Sequence, residues 1–180
     1  MSVQVSCLSH KNILTSFHSP ISVCVNYGEI LGIIGNNGCG KTTLLQILIG
    51  NINPLRGEVT TKGTIAFLST KNFLKPSLTV ATQLPFFSKE YKNFPWKNWL
   101  NKKYENLSAG QQRLIAIWIT LNQKANIYII DEPFIFLDDS AKLQVYEWMN
   151  LKIAQGTCII FSNQNTENIQ SLLKLQIVEL

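Results

Sequence analysis

This sequence has few of the residues that build metal clusters and disulfide frameworks. Its 180 residues include only four cysteines, Cys7, Cys24, Cys39 and Cys158, with no CxxC spacing, so neither a zinc site nor a stapled scaffold is indicated. Cys24 and Cys158 fall in apolar strand-like runs and read as small core residues. Its two histidines, His10 and His18, both lie near the N-terminus. Charged residues are sparse, at 15%, beside an ordinary 46% of hydrophobic residues, which excludes a disordered or collagen-like chain. No apolar run is long enough to span a bilayer, because Ile30–Ile34 and Ile127–Ile130 are strand-sized and end in polar residues. Met1-Ser2-Val3-Gln4 lacks the charged and then apolar pattern of a secretory signal, so the protein is expected to stay where it is made, in a reducing compartment. The net charge of +5 raises the question of nucleic acid. The lysines are spread out, however, with Lys102-Lys103 the densest cluster and no arginine-rich stripe, so no nucleic-acid partner is expected. Weak attraction to an acidic membrane surface fits the same charge.

What is present is an alternation of apolar strand-like runs with helix-like segments. That pattern predicts an α/β fold with a mostly parallel central sheet, in one domain spanning residues 1–180. Val3–Leu8 and Ile21–Val25 read as the first strands. Ile30–Ile34 reads as a strand buried on both faces, followed by a glycine-rich turn and a helix over Lys41–Ile49. Gly57–Gly63 reads as a tight hairpin and Ile65–Leu68 as a strand. Thr79–Tyr104 lacks strand periodicity and is rich in aromatics, as expected of a small, partly helical insertion; with the helix that follows it spans roughly 79–121. Ser108–Leu121, Ser140–Gln155 and a segment near Glu167–Leu173 read as helices, and Ile127–Ile130, Thr157–Phe161 and Leu175–Val178 as strands. Ser108 and Gln111 stand at capping-box spacing.

Gly35-Asn36-Asn37-Gly38-Cys39-Gly40-Lys41-Thr42, with Thr43 beside it, satisfies the phosphate-loop pattern G-x-x-x-x-G-K-S/T between a buried strand and a helix. Glycines let backbone N–H groups surround phosphate oxygens, and the helix start adds its positive dipole end. The chemistry expected is ATP binding, with Lys41 reaching the β- and γ-phosphates and Thr42 ligating Mg²⁺. In Ile127-Tyr128-Ile129-Ile130-Asp131-Glu132 an apolar strand ends in two carboxylates. Asp131 can hold Mg²⁺ directly or through water, and Glu132 can polarise a water for attack on the γ-phosphate. Leu107-Ser108-Ala109-Gly110-Gln111-Gln112 offers a hydroxyl, bare backbone at Gly110 and the positive dipole end of a helix, so it reads as a second phosphate clamp or as a plain capped helix.

That last run, in the order loop, signature, Asp-Glu strand, resembles the L-S-G-G-Q signature of ABC ATPases. The resemblance covers essentially the whole chain. It implies an ABC-type nucleotide-binding domain with an antiparallel N-terminal β portion and a shortened helical subdomain. It also implies a second copy of this chain, or a homologous ATPase subunit, whose signature covers the ATP held by the other's phosphate loop. An integral membrane permease subunit is the other implied partner. Leu137-Asp138 resembles the family's D-loop at the dimer contact, although a helix cap ahead of Ser140 explains it equally. Phe86, Phe87, Trp96 and Trp99 then line either the groove for the membrane subunit or the insertion's own core.

Two family residues are missing. Thr70 or Lys71 stands where a Gln after the Ile65–Leu68 strand is usual, and Asn163, or Gln164 if the alignment slips by one, stands where a His is usual. Asn donates a hydrogen bond to phosphate without a positive charge, so slow turnover is expected. His10 or Phe17 is the candidate to stack on adenine. The run LSAGQQR, Asp131-Glu132-Pro133-Phe134 and Leu74-Lys75-Pro76-Ser77-Leu78-Thr79 are similar to the ATP-binding subunit of the haem exporter of cytochrome c maturation. That likeness implies a peripheral place on the cytoplasmic face of the inner membrane, or on the matrix side in an organelle. Another ABC transporter's ATPase subunit and a non-hydrolysing regulatory subunit are the rival expectations.

Overall fold

The structure is a computed structural model and describes residues 3–9, 11–12, 15–16, 21–71, 73–166, 169, 172 and 174–180. Among the described residues ten strands and four α-helices follow one another: β1 (Val3–Ser9), β2 (Lys11–Asn12), β3 (Thr15–Ser16), β4 (Ile21–Val25), β5 (Ile30–Ile34), α1 (Lys41–Leu48), β6 (Arg56–Thr61), β7 (Ile65–Leu68), α2 (Val80–Phe87), α3 (Ala109–Leu121), β8 (Ile127–Ile130), α4 (Asp139–Ala154), β9 (Cys158–Asn163) and β10 (Leu175–Glu179). The strands β10-β5-β9-β8-β7 form a parallel sheet in that order. A second, antiparallel sheet has the order β4-β1-β6, and β2 pairs with β3.

The parallel sheet is apolar on both faces because helices or the second sheet cover each side. Its side chains alternate between two cores, as the two-residue strand period demands. Ile30 and Ile34 of β5, Tyr128 and Ile130 of β8, and Ile159 and Phe161 of β9 pack with α3 and α4. Leu31 and Ile33, Ile127 and Ile129, and Cys158 and Ile160 pack with α1 and the antiparallel sheet. Cys158 is therefore a core residue as expected, whereas Cys24 is only half-buried.

One sequence expectation fails here. Gly57–Gly63 is not a hairpin: Arg56–Thr61 is a strand that pairs antiparallel with β1, placing Val59 opposite Val5 and Thr61 opposite Val3. The two glycines imitate turn punctuation, but the Val-Thr-Thr run between them is strand-forming once a partner edge is available. The helix expected near Glu167–Leu173 lies largely outside the described residues.

The insertion contains α2, capped by Thr79, and three short 3-10 turns at Tyr91–Asn93, Lys97–Trp99 and Tyr104–Asn106. Its aromatics divide into two sets. Trp96 stacks on Trp99 at 4.6 Å between centroids, and Phe94 meets Trp118 of α3 edge-on at 5.3 Å. Such pairs contribute about 0.5–1.5 kcal/mol beyond burial, so they fasten the insertion to the core. Phe86, by contrast, is 83% exposed, and Phe87 meets only Phe73 edge-on among the ring contacts of the described residues.

Candidate nucleotide-binding site

The site forms where β5, β8 and β9 end on the same edge of the parallel sheet, the usual place for a ligand in such folds. The phosphate loop leaves β5 and enters α1. Gly40 takes φ 107°, a left-handed value that glycine accepts without strain, and no side chain caps the helix behind it. The first-turn N–H groups of α1 are thus left without a side-chain acceptor. Lys41 is buried, and its ammonium donates to the carbonyl oxygens of Gly35 at 2.6 Å and Asn36 at 3.0 Å. Its charge sits inside the loop, held by the loop's own backbone. A phosphate entering the loop competes with those carbonyls for the ammonium.

Asp131 and Glu132 follow β8. Asp131 is fully buried, and both carboxylate oxygens accept from hydroxyls: Oδ2 from Thr42 at 2.9 Å and Oδ1 from Ser162 at 2.5 Å. The Glu132 N–H donates to the same Ser162 hydroxyl at 2.8 Å. Thr42 and Asp131 therefore meet, and a hydroxyl beside a carboxylate is an oxygen donor set suited to Mg²⁺. Glu132 has φ 49°, which non-glycine residues seldom adopt. It lines a cavity of about 250 Å³ together with Asn37, Gly38, Gly40, Lys41, Thr42 and Thr43. It also lines a neighbouring cavity of about 290 Å³ with Lys142, Asn163 and Gln164.

Asn163 ends β9 opposite Ile34, and its carbonyl accepts the Gly35 N–H at 3.2 Å, so it stands beside the root of the phosphate loop. Its amide donates to the Asn165 carbonyl at 2.7 Å. Thr70 and Lys71 follow β7, where Ser69 rather than either of them makes the link to the carboxylate corner, through Arg113. His10 and Phe17, the candidates for stacking on adenine, lie outside the described residues.

Ser108, Gly110 and Gln111 form a separate group. They line a third cavity, of about 630 Å³, with Trp96, Trp99 and the Leu137-Asp138 segment, and no phosphate-loop residue borders it. Ser108 and Gln111 complete a capping box: the Ser108 hydroxyl accepts the Gln111 N–H at 3.2 Å, and the Gln111 side chain accepts the Ser108 N–H at 3.1 Å. A Cβ at position 110 would lie 2.7 Å from the Phe136 carbonyl oxygen, so only glycine allows α3 to approach the segment before α4 this closely. Asp138 caps α4, and the Ala141 N–H and Ser140 hydroxyl hold its carboxyl below the usual carboxylate range.

Sequence reading missed two residues. Ser162, buried, bridges Asp131 and Glu132; its only signal is a polar residue at the end of the apolar run Cys158–Phe161. Arg113, also buried, stands in α3 between the polar Gln111-Gln112 and the apolar run that starts at Leu114; its Nη1 donates to Ser69 O at 2.9 Å, and its Nη2 donates to Glu132 O at 3.1 Å and to Asp131 O. Burial pulls its guanidinium down to about 10, against the opposing pull of Asp131, Tyr104 and Glu132.

The profile of the ABC transporter family matches residues 18–135, from before the phosphate loop through Asp131-Glu132. The chain belongs to the ABC transporter family. It carries that family's ATP-binding domain. The cytochrome c biogenesis ATP-binding export protein CcmA of Shigella flexneri is 29% identical over 183 residues, covering 84% of this chain and 83% of that protein. The SkfA peptide export ATP-binding protein SkfE of Bacillus subtilis is 27% identical over 172 residues, covering 82% of this chain and 72% of that protein. MJ0719 of Methanocaldococcus jannaschii, an ABC transporter ATP-binding protein, is 32% identical over 155 residues, 79% of this chain, but the match spans only 26% of its own length. Among solved structures, an ATP-binding subunit of an ABC transporter superposes with a TM-score of 0.77 at 25% identity, over 91% of this chain and 80% of that one. Family members thus include proteins named for quite different cargoes, so membership assigns nucleotide binding and leaves the cargo open. Among the described residues no helix is long and apolar enough to cross a membrane.

Proposed function

We propose that this chain is the ATP-hydrolysing subunit of an ABC transport complex and that it works by closing on a second copy, or a homologous ATPase subunit, around ATP. The observation that carries the reading is the shared cavity: Glu132 borders the same space as Gly38, Gly40, Lys41, Thr42 and Thr43. In this mechanism the backbone of Gly35, Asn36, Asn37, Gly38, Cys39 and Gly40 and the α1 start bind the phosphates, and Lys41 exchanges its loop carbonyls for phosphate oxygens. Thr42 and Asp131 would hold Mg²⁺, which when bound neutralises phosphate charge. Glu132 accepts a proton from the attacking water, and Asn163 turns from Asn165 to donate a neutral hydrogen bond to the γ-phosphate. The partner's Ser108, Gly110 and Gln111 close over the same nucleotide, because within one chain they border a different cavity. The exposed Phe86 and Phe87 are the insertion's candidates for contact with an integral membrane subunit, which would hold the chain peripherally at the cytoplasmic face of the inner membrane or the matrix side of an organelle.

The finer reading is haem export or release in cytochrome c biogenesis. It is supported by the match over most of CcmA's length and by the LSAGQQR run. Peptide export is the competing cargo, supported by the match to SkfE. A regulatory reading, in which ATP only drives association, is favoured by the Asn163 amide being committed to Asn165. Glu132→Gln separates these mechanisms. It preserves shape but takes up no proton, so the variant should bind ATP with parental affinity, lose hydrolysis and accumulate as an ATP-bound dimer on size exclusion. Parental turnover in that variant would remove Glu132 from the mechanism. No turnover in the parent, even with its membrane partner, would favour the regulatory reading.

A further inference from the structure

We propose that Arg113 is a positioning residue for Glu132 and that it ties the signature helix of each chain to the carboxylates of that same chain's ATP site. The inference rests on the reading of Glu132 as the base. Arg113 is 2% exposed and sits in α3 one and a half turns after Ser108. Its guanidinium gathers carbonyl oxygens from two strand ends, Ser69 after β7 and Asp131 and Glu132 after β8. All three are main-chain atoms, so the contact fixes backbone rather than neutralising a carboxylate. Its Nε finds no hydrogen-bond partner among the described residues. A buried donor left unpaired is unfavourable, and the hydrogen bonds of the two terminal nitrogens offset that cost and hold the side chain.

The backbone it fixes is an unusual one. Glu132 takes a left-handed φ of 49°, and its peptide groups are held from both sides: Ser162 receives its N–H and Arg113 donates to its carbonyl. That conformation sets where the Glu132 side chain enters the phosphate cavity. Ser69 precedes Thr70 and Lys71, one of which stands where the Gln is expected, so Arg113 is a link by which that segment reaches the carboxylates. Because α3 begins at Ser108, any displacement of the signature helix is passed through Arg113 to Glu132.

The test compares Arg113→Lys, which keeps the charge and loses the planar fork, with Arg113→Met, which keeps the stem alone. Both are made in the full chain, alone and combined with Glu132→Gln. ATP affinity within about twofold of the parent is expected in both single variants and certifies folding. The expected kcat falls tenfold to about a hundredfold with KM little changed, since small misplacement of a reacting group has effects of that size. In the Glu132→Gln background, Arg113→Lys should lower the residual turnover no further, because both changes disable one unit. Amide exchange across residues 129–135 should quicken in Arg113→Lys whether or not the parent turns over. Parental kcat in Arg113→Lys, an equal fall in both backgrounds, or unchanged exchange across 129–135 overturns the proposal. A parent without turnover would sink the base reading instead, and the exchange measurement then decides the Arg113 linkage on its own. If both variants lose ATP affinity as well, Arg113 is a folding residue and the proposal fails.

Discussion

Two helices in this protein begin beside residues expected to meet phosphate, and they begin in opposite ways. α1 starts at Gly40 with no side-chain cap and with the Lys41 ammonium drawn against the carbonyls of Gly35 and Asn36. α3 starts at Ser108 with both halves of a capping box in place. Among the described residues the first start offers N–H groups with no side-chain acceptor and a buried cation held by main-chain carbonyls, an arrangement that a phosphate can complete. The second is satisfied by its own side chains, so it gains less from an anion and must give up or share its cap to take one. On the proposed mechanism that difference fits the phosphate loop to hold nucleotide alone and the signature to close on nucleotide already held elsewhere.

The most severe way to break this comparison is Lys41→Ala. It leaves the loop carbonyls facing one another and the phosphates without their nearest cation. ATP affinity by calorimetry should fall at least tenfold to about a hundredfold, the size of a lost hydrogen bond to a charged group. Near-parental affinity would mean that the loop does not hold the phosphates.

Ser108→Ala tests the other start. Losing a Ser cap costs about 1 kcal/mol, which lowers Tm by roughly 2–4 °C in a chain of this size. If the signature also clamps nucleotide, turnover should fall further, on the order of tenfold or more, because a donor to developing charge is lost. ATP affinity of the isolated chain should stay unchanged. A small drop in Tm with parental turnover would reduce Ser108 to a helix cap.

Asn163→His is the mildest change and sharpens the comparison by restoring the side chain usual in the family at that position. A rise in turnover of less than about tenfold is expected, with ATP affinity unchanged, because the missing Gln at Thr70 or Lys71 still limits the same step. Gln164→His is the control for register. A larger rise in the control would shift the assignment by one residue.

Much of the site was legible because its signals are local. The phosphate loop is a fixed spacing of glycine, lysine and threonine between an apolar strand and a helix, and the capping box is Ser108 and Gln111 at their proper separation. Asp131 and Glu132 announce themselves at the end of a buried strand. The hairpin expected at Gly57–Gly63 failed because its local signal was ambiguous: glycines flanked a β-branched run whose fate depended on the edge of β1. The aromatics of the insertion were readable as a group, yet only packing separated buried Trp99 from exposed Phe86.

The sequence by itself therefore determined most of the elements, the glycine-rich turn before α1 and the capping box of α3, since each rests on the conformational preferences of neighbouring residues. The tertiary structure decided what meets across distance. It brought Thr42 to Asp131 across 89 residues and Ser162 to Asp131 across 31, and it closed Arg113 on the carbonyls of Ser69, Asp131 and Glu132. Those contacts depend on strand order in the parallel sheet and on the seating of α3 against it. Neither is a property of any local stretch of chain, because a side chain's partner across the fold is fixed only when every intervening element has found its place.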